Sequence, residues 1–212
     1  MPAAAGVEIG GDWYDAFQQP DGCTVLAIGD VAGHDTRAAA AMGQVRGQLR
    51  GISYASDRTP AAVLSELDRA MDGLALDTIA TALVGELGPG PDGGTQLRWA
   101  SAGHPPPVLL TPDGRASLLD AVPANLMLGV DPLLPRTDHG TLLEPGSTLL
   151  LYTDGLVERR DRDIDVGTTA LVEAVAACAG LPLDELCDRV LDRLFLPDAQ
   201  DDVAVLAVRL KG

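Results

Sequence analysis

Three apolar runs in this chain abut aspartates. Cys23-Thr24-Val25-Leu26-Ala27-Ile28 passes through Gly29 to Asp30. Leu149-Leu150-Leu151-Tyr152 passes through Thr153 to Asp154, and Asp201-Asp202 stand directly before the run Val203–Val208. A further acidic motif, Gly10-Gly11-Asp12-Trp13-Tyr14-Asp15, lies near the start. Short apolar runs bounded by turn residues read as buried strands. Carboxylates at strand ends, far apart in sequence, meet in one place when their strands share a sheet. Carboxylates that meet repel one another unless cations lie between them, and hard oxygen ligands of this kind suit Mg²⁺ or Mn²⁺. The pattern predicts a carboxylate metal centre at strand ends.

The rest of the chain supports a layered α+β domain. Residues 22–29, 79–87, 95–101, 107–111, 147–152 and 203–210 read as strands, and Gly88–Gly94 makes 79–101 a hairpin. Helices are expected over 37–50, 60–74, 169–179 and 183–195. Thr36 or Asp35 is placed to cap the first, and Thr59-Pro60 opens the second. In the second helix Val63, Leu64, Leu67, Ala70, Met71 and Leu74 form one apolar stripe. Residues 120–146 read as a surface loop with a short strand near Thr141–Leu143. Strands alternating with helix pairs fit large sheets covered by paired helices.

Composition narrows the function. The 212 residues are 46% apolar but only 3% aromatic, so the core is built from Ala, Val and Leu. A net charge of −16 disfavours nucleic acid and anionic membranes, both of which reward Lys and Arg. No stretch has the length and apolarity of a bilayer span, and no signal peptide is recognisable. Cys23, Cys178 and Cys187 are odd in number and lack metal or redox spacing, which reads as reduced, mostly core thiols in a cytoplasmic protein.

Each acidic motif alone has an ordinary explanation; Asp-Gly, for one, is a routine turn. Their combination and order are more specific. Gly10–Phe17 (GGDWYDAF), Ile28–His34 (IGDVAGH), Ala100–Pro106 (ASAGHPP), Leu150–Glu158 (LLYTDGLVE) and Asp201–Val205 (DDVAV) resemble the metal-dependent PPM-type Ser/Thr protein phosphatases, in particular the bacterial stage II sporulation protein E branch. The resemblance implies a four-layer αββα sandwich, two antiparallel sheets flanked by helix pairs, and a site holding two Mn²⁺ or Mg²⁺ ions. It implies that Asp30 bridges both ions, that the Val31 carbonyl binds one, and that Asp154 and Asp201 complete a shell. Either Asp12 or Asp15 supplies the first-motif ligand, with Asp12 preferred because it follows the glycine pair. Asp202 is expected beside the shell or at the surface. The implied activity is hydrolysis of phosphoserine or phosphothreonine on a regulatory protein of anti-anti-sigma (STAS) type, by a metal-held hydroxide, with no Ser or Cys nucleophile.

Three histidines differ in their prospects. His34 is a candidate catalytic group, with three readings open: a donor beside the metals, an acid for the leaving oxygen, or a cap at the start of the following helix. His104, in Gly103-His104-Pro105-Pro106, is expected to fix its turn, and His139 to lie at the surface. One departure from many eukaryotic relatives is that no arginine precedes Asp30, the first being Arg37. Gly43, Gly47 and Gly51 recur every four residues in the first helix, either for tight packing on the sheet or as a deformable switch. Only nine residues precede Gly10, so residues 1–212 are expected to be a single catalytic domain cut from a longer chain or lacking a first strand. An upstream sensory domain or a homodimer partner is expected to regulate it. The rival functions are a pseudophosphatase that binds without turnover and a hydrolase of small phosphorylated metabolites.

Overall fold

A computed structural model of the chain describes residues 10–122, 125–158, 163–195 and 202–211. Strands β1 (Trp13–Gln18), β2 (Thr24–Val31), β3 (Ala80–Pro89), β4 (Thr95–Ala102), β5 (Val108–Leu110), β6 (Ala116–Leu118), β7 (His139–Leu143), β8 (Thr148–Tyr152) and β9 (Val205–Arg209) form two antiparallel sheets. One runs β1-β2-β3-β4-β7 and the other β6-β5-β8-β9. Helices α1 (Thr36–Tyr54) and α2 (Pro60–Gly73) pack on the first sheet, and α3 (Ile164–Ala177) and α4 (Leu183–Leu194) on the second.

Side chains alternate across each strand, so every central strand feeds two cores. In β2, Val25, Ala27 and Val31 face α1 and α2, while Leu26 and Ile28 face the other sheet. In β3, Ala82 and Val84 meet the helices, and Leu83 and Leu87 point inward between the sheets. In β8, Leu150 and Tyr152 meet α3 and α4, and Leu149 and Leu151 close the central layer. Strands buried on both faces explain why the sequence shows unbroken apolar runs there rather than alternation. The result is the expected αββα sandwich.

The local differences have physical causes. Asp35, not Thr36, caps α1: its carboxylate accepts from the Arg37 and Ala38 backbone N–H groups. That contact holds Asp35 below the usual carboxylate range, and Arg37 and His34 add to the effect. Thr59 caps α2 as expected, accepting from Ala62 N. Helix α3 starts five residues earlier than its apolar stripe indicates, because Asp163 caps it and the first-turn residues Ile164 and Val166 stay exposed, off the buried stripe. Strand β1 was hidden by Asp15, a charge at an inward position. His139 is half-buried in β7 with its ring 5.5 Å from that of Trp99, not at the open surface. All three cysteines are free, yet only Cys178 is buried.

Candidate metal centre

The strand register lines up the acidic motifs. Trp13 pairs with Gly29 across β1 and β2. One step further along this antiparallel ladder puts Asp12 opposite Asp30. The ladder is continued there by Val31 N, which donates to the Gly11 carbonyl at 3.2 Å. Asp30 in turn pairs with Thr81 on β3. Asp30 shares the inward face of Leu26 and Ile28, so the Asp12–Asp30 pair lies at the end of the space between the sheets. Like charges directly opposite on neighbouring strands destabilise a sheet.

The second sheet contributes from β8. Thr153 continues the inward alternation of Leu149 and Leu151 and is fully buried. Its hydroxyl donates to Asp12 Oδ2 at 2.6 Å and accepts from Ala204 N at 2.8 Å. Asp154 follows at once and opens a short 3-10 turn, Asp154–Leu156, in which Val157 N and Glu158 N both donate to the Asp154 carbonyl. The turn thus fixes Asp154 one residue from the Asp12–Thr153 bond. The segment before β9 brings Asp202 against Gly10. A side chain on Gly10 would fall on the Asp202 carboxylate, and one on Gly11 would fall on the Val31 carbonyl oxygen and within 2.6 Å of Asp30 Oδ1. The glycine pair therefore lets carboxylate and carbonyl oxygens come close against its backbone, and together they are a hard donor set suited to Mg²⁺ or Mn²⁺.

The site residues expected from sequence fall into three groups. Asp12, Asp30 and Val31 meet at this end of the first sheet, and Asp154 directly follows Thr153, whose hydroxyl bonds Asp12. Asp15 is not among them. It lies on the opposite face of β1, with Trp13 and Phe17, and is buried against α1. There Arg50 Nη1 donates to both its oxygens at 2.7 and 2.8 Å, and Arg46 lies 3.6 Å away. Strand parity, visible in Trp13-Tyr14-Asp15-Ala16-Phe17, separates Asp12 from Asp15. Asp201 lies outside the described residues. Among the described residues no three Asp, Glu, His or Cys side chains form a metal-holding group.

His34 is exposed, lining a cleft of about 290 Å³ with Arg37 and Ala32, beside Val31. Its cap reading is excluded, since Asp35 is the cap. His104 is buried behind the site and ties the sheets together. Its Nε2 lies 3.1 Å from the Tyr152 carbonyl and its Nδ1 2.9 Å from the Thr81 hydroxyl. A carbonyl only accepts, so Nε2 carries the proton and Nδ1 accepts from Thr81. Burial pushes His104 down to about 3, so the ring stays neutral. Its backbone is held by reciprocal bonds with the Ser101 hydroxyl. Thr153 escaped the sequence reading, although the inward alternation 149-151-153 marks it.

A two-sheet sandwich between helix pairs, with aspartates gathered at one end, is the architecture of PP2C-type phosphatase domains. The SiaA-PP2C domain of Pseudomonas aeruginosa shares it with a TM-score of 0.76 at 24% identity, over 95% of this chain and 81% of that one. The catalytic domain of the serine/threonine phosphatase PstP, solved in complex with 2 manganese ions, gives a TM-score of 0.63 at 16% identity, over 95% and 92%. The RsbU and RsbW domains of Rv1364c from Mycobacterium tuberculosis give a TM-score of 0.84 at 34% identity. That match covers 99% of this chain, which spans 56% of the mycobacterial one. A family model described as Stage II sporulation protein E (SpoIIE) matches residues 20–211. The chain belongs to the SpoIIE family, within the PPM-type phosphatases.

Proposed function

We propose that this domain is a metal-dependent protein phosphatase that removes phosphate from serine or threonine of a regulatory protein, of the anti-anti-sigma (STAS) type. The observation that carries the reading is the placing of Asp12 opposite Asp30, beside the Val31 carbonyl, where Gly10 and Gly11 let these oxygens approach the backbone closely. Two like charges held together at the end of a folded sheet ask for a cation. Asp12, Asp30, the Val31 carbonyl and Asp154, with Asp201, are the groups we assign to two Mn²⁺ or Mg²⁺ ions. The manganese in PstP supports that assignment. Such ions neutralise phosphoryl oxygens and bring the pKa of a bound water from about 15.7 toward neutrality.

The chain's own groups hold this arrangement. Thr153 holds Asp12 by donating to its Oδ2. The β1–β2–β3 ladder fixes Asp30. His34, exposed in the neighbouring cleft, is our candidate to donate a proton to the leaving serine oxygen. We place Asp202 beside the ligands rather than among them. The domain is read as the catalytic unit of a longer, cytoplasmic regulatory protein, controlled by an upstream sensory domain or a homodimer partner. Among the described residues no helix is long and apolar enough to cross a membrane.

The test is hydrolysis of p-nitrophenyl phosphate and of a phosphoserine peptide with Mn²⁺, then with excess EDTA. Turnover is expected with Mn²⁺ and is expected to vanish with chelator. Full turnover after thorough metal removal would falsify the mechanism, and binding of phosphoprotein without any turnover would instead establish the pseudophosphatase.

A further inference from the structure

The segment from Asn125 to Asp138 crosses the first sheet next to the metal centre, and it is held there firmly. Leu128 is fully buried and exchanges both backbone hydrogen bonds with Ala80, at 2.9 and 3.2 Å. Gly129, with φ of +80°, turns the chain tightly against Thr78 and donates its N–H to Asp68 at 2.8 Å. Arg136 is buried with Asp68, side-chain exposures of 0% and 2%, and also donates to the Leu126 carbonyl. Asp138 accepts from Ala61 N in the first turn of α2.

This anchoring holds apolar side chains out toward solvent. Leu126, Met127, Val130 and Leu133 are 49%, 40%, 47% and 84% exposed, and Ile79, against Gly129, is 42% exposed. An apolar surface held by a buried ion pair and a two-bond bridge is not a slack loop, and contiguous exposed apolar surface marks an interaction site. Its position says which one. Met127 lies against Gly103, whose neighbour His104 bonds Thr81, the ladder partner of Asp30. Leu128 also bridges Ala80, the ladder partner of Val31, and the Ile79 carbonyl accepts from Ala32 N, so the segment lies beside the candidate metal centre, one strand beyond Val31's partner.

The charge says what it takes. Residues 119–135 contain Asp120 and Asp131 and no Lys or Arg, and the guanidinium of Arg136 is spent on Asp68. Nothing in this segment attracts an acidic flank.

We propose that the Leu126–Leu133 segment with Ile79 docks the polypeptide flanking the phosphorylated residue of a substrate protein, and that it selects apolar side chains on that flank. This rests on the phosphatase reading above. Phosphate recognition at the centre is common to all substrates, so discrimination falls to this segment.

The test compares two synthetic phosphoserine peptides of equal length and charge, one flanked by Leu, Ile and Val and the other by Ser and Gln. Both are assayed with Mn²⁺ against the wild type and the V130D/L133D double variant, alongside p-nitrophenyl phosphate. The wild type is expected to favour the apolar-flanked peptide by about tenfold in kcat/KM, the ratio that follows from burying about one apolar side chain. The double variant is expected to lose that preference while keeping its p-nitrophenyl phosphate turnover, which also reports that it is folded. No preference in the wild type, or an undiminished one in the variant, overturns the proposal. So does an equal loss on all three substrates, which makes the segment a support for the centre. A dimer in the wild type that dissociates in the variant, by sedimentation velocity, assigns the surface to a second copy. If the wild type turns over none of the three with Mn²⁺, the phosphatase reading itself falls, and docking with it.

Discussion

His104 shows how a single buried group sets a pH limit on the fold. In the unfolded chain a histidine titrates near 6.5, whereas burial in the sandwich holds His104 at about 3. Between those values the unfolded chain binds a proton that the native state refuses. Stability is therefore intact above about pH 6.5 and is lost as pH falls toward 3, with a slope of up to about 1.4 kcal/mol per pH unit. Between pH 7 and pH 5 urea denaturation should show a loss of about 2 kcal/mol from this group. His104→Gln keeps a donor and an acceptor but does not titrate, so its stability should vary correspondingly less over the same range. An unchanged slope in the variant would mean that other groups govern it. At this scale the sequence was partly legible. Local motifs singled out Asp12, Asp30 and Asp154, and the strand register then brings Asp12 opposite Asp30. The Thr153–Asp12 bond and the Arg50 partner of Asp15 were not legible, because a hydrogen bond between residues 141 apart and an ion pair 35 apart leave no local trace.

Among the elements, α1 is unusual. It buries Ala38, Ala41, Val45 and Leu49 against the first sheet. Gly43, Gly47 and Gly51 lie on its other side, where an added Cβ would meet nothing within 4 Å. Tight packing on the sheet, one of two reasons for that spacing, is thus excluded: the glycines face outward. What remains is their effect on helix stability, up to about 1 kcal/mol each relative to alanine. The helix begins five residues after Val31, so its position bears on a metal-facing carbonyl. Gly47→Ala should raise the unfolding free energy by about 0.5–1 kcal/mol. If α1 shifts to control the centre, the variant should also show altered Mn²⁺ affinity or turnover. Higher stability with both unchanged would leave the helix a passive support. The four helices were readable because each carries an apolar stripe or a cap. The short strands β1 and β6 were not, since an inward charge and a three-residue length erase the pattern.

Over the whole molecule, the layered architecture was legible in the order of elements, with apolar runs giving central strands and amphipathic runs giving outer helices. Which sheet each strand joined was not, because pairing such as β4 with β7 spans a long connection that no local pattern encodes. The molecule also has one mechanical property that follows from where its acidic residues stand. Asp12 and Asp30 belong to one sheet, Asp154 follows a strand of the other, and the Thr153–Asp12 bond runs between them. Ions held between these residues would act as a clasp across the two halves of the sandwich. Binding to the folded state alone adds about 2.7 kcal/mol at a metal concentration a hundred times Kd. Thermal unfolding should therefore move upward with Mn²⁺ concentration even when no substrate is present. Asp30→Asn serves as the comparison, measured with and without Mn²⁺. That variant should gain almost nothing from Mn²⁺. A wild type indifferent to Mn²⁺ in such a melt would mean that the two sheets are held together without it. For a phosphatase built this way, a starved metal supply would loosen the fold at the moment it silences the enzyme.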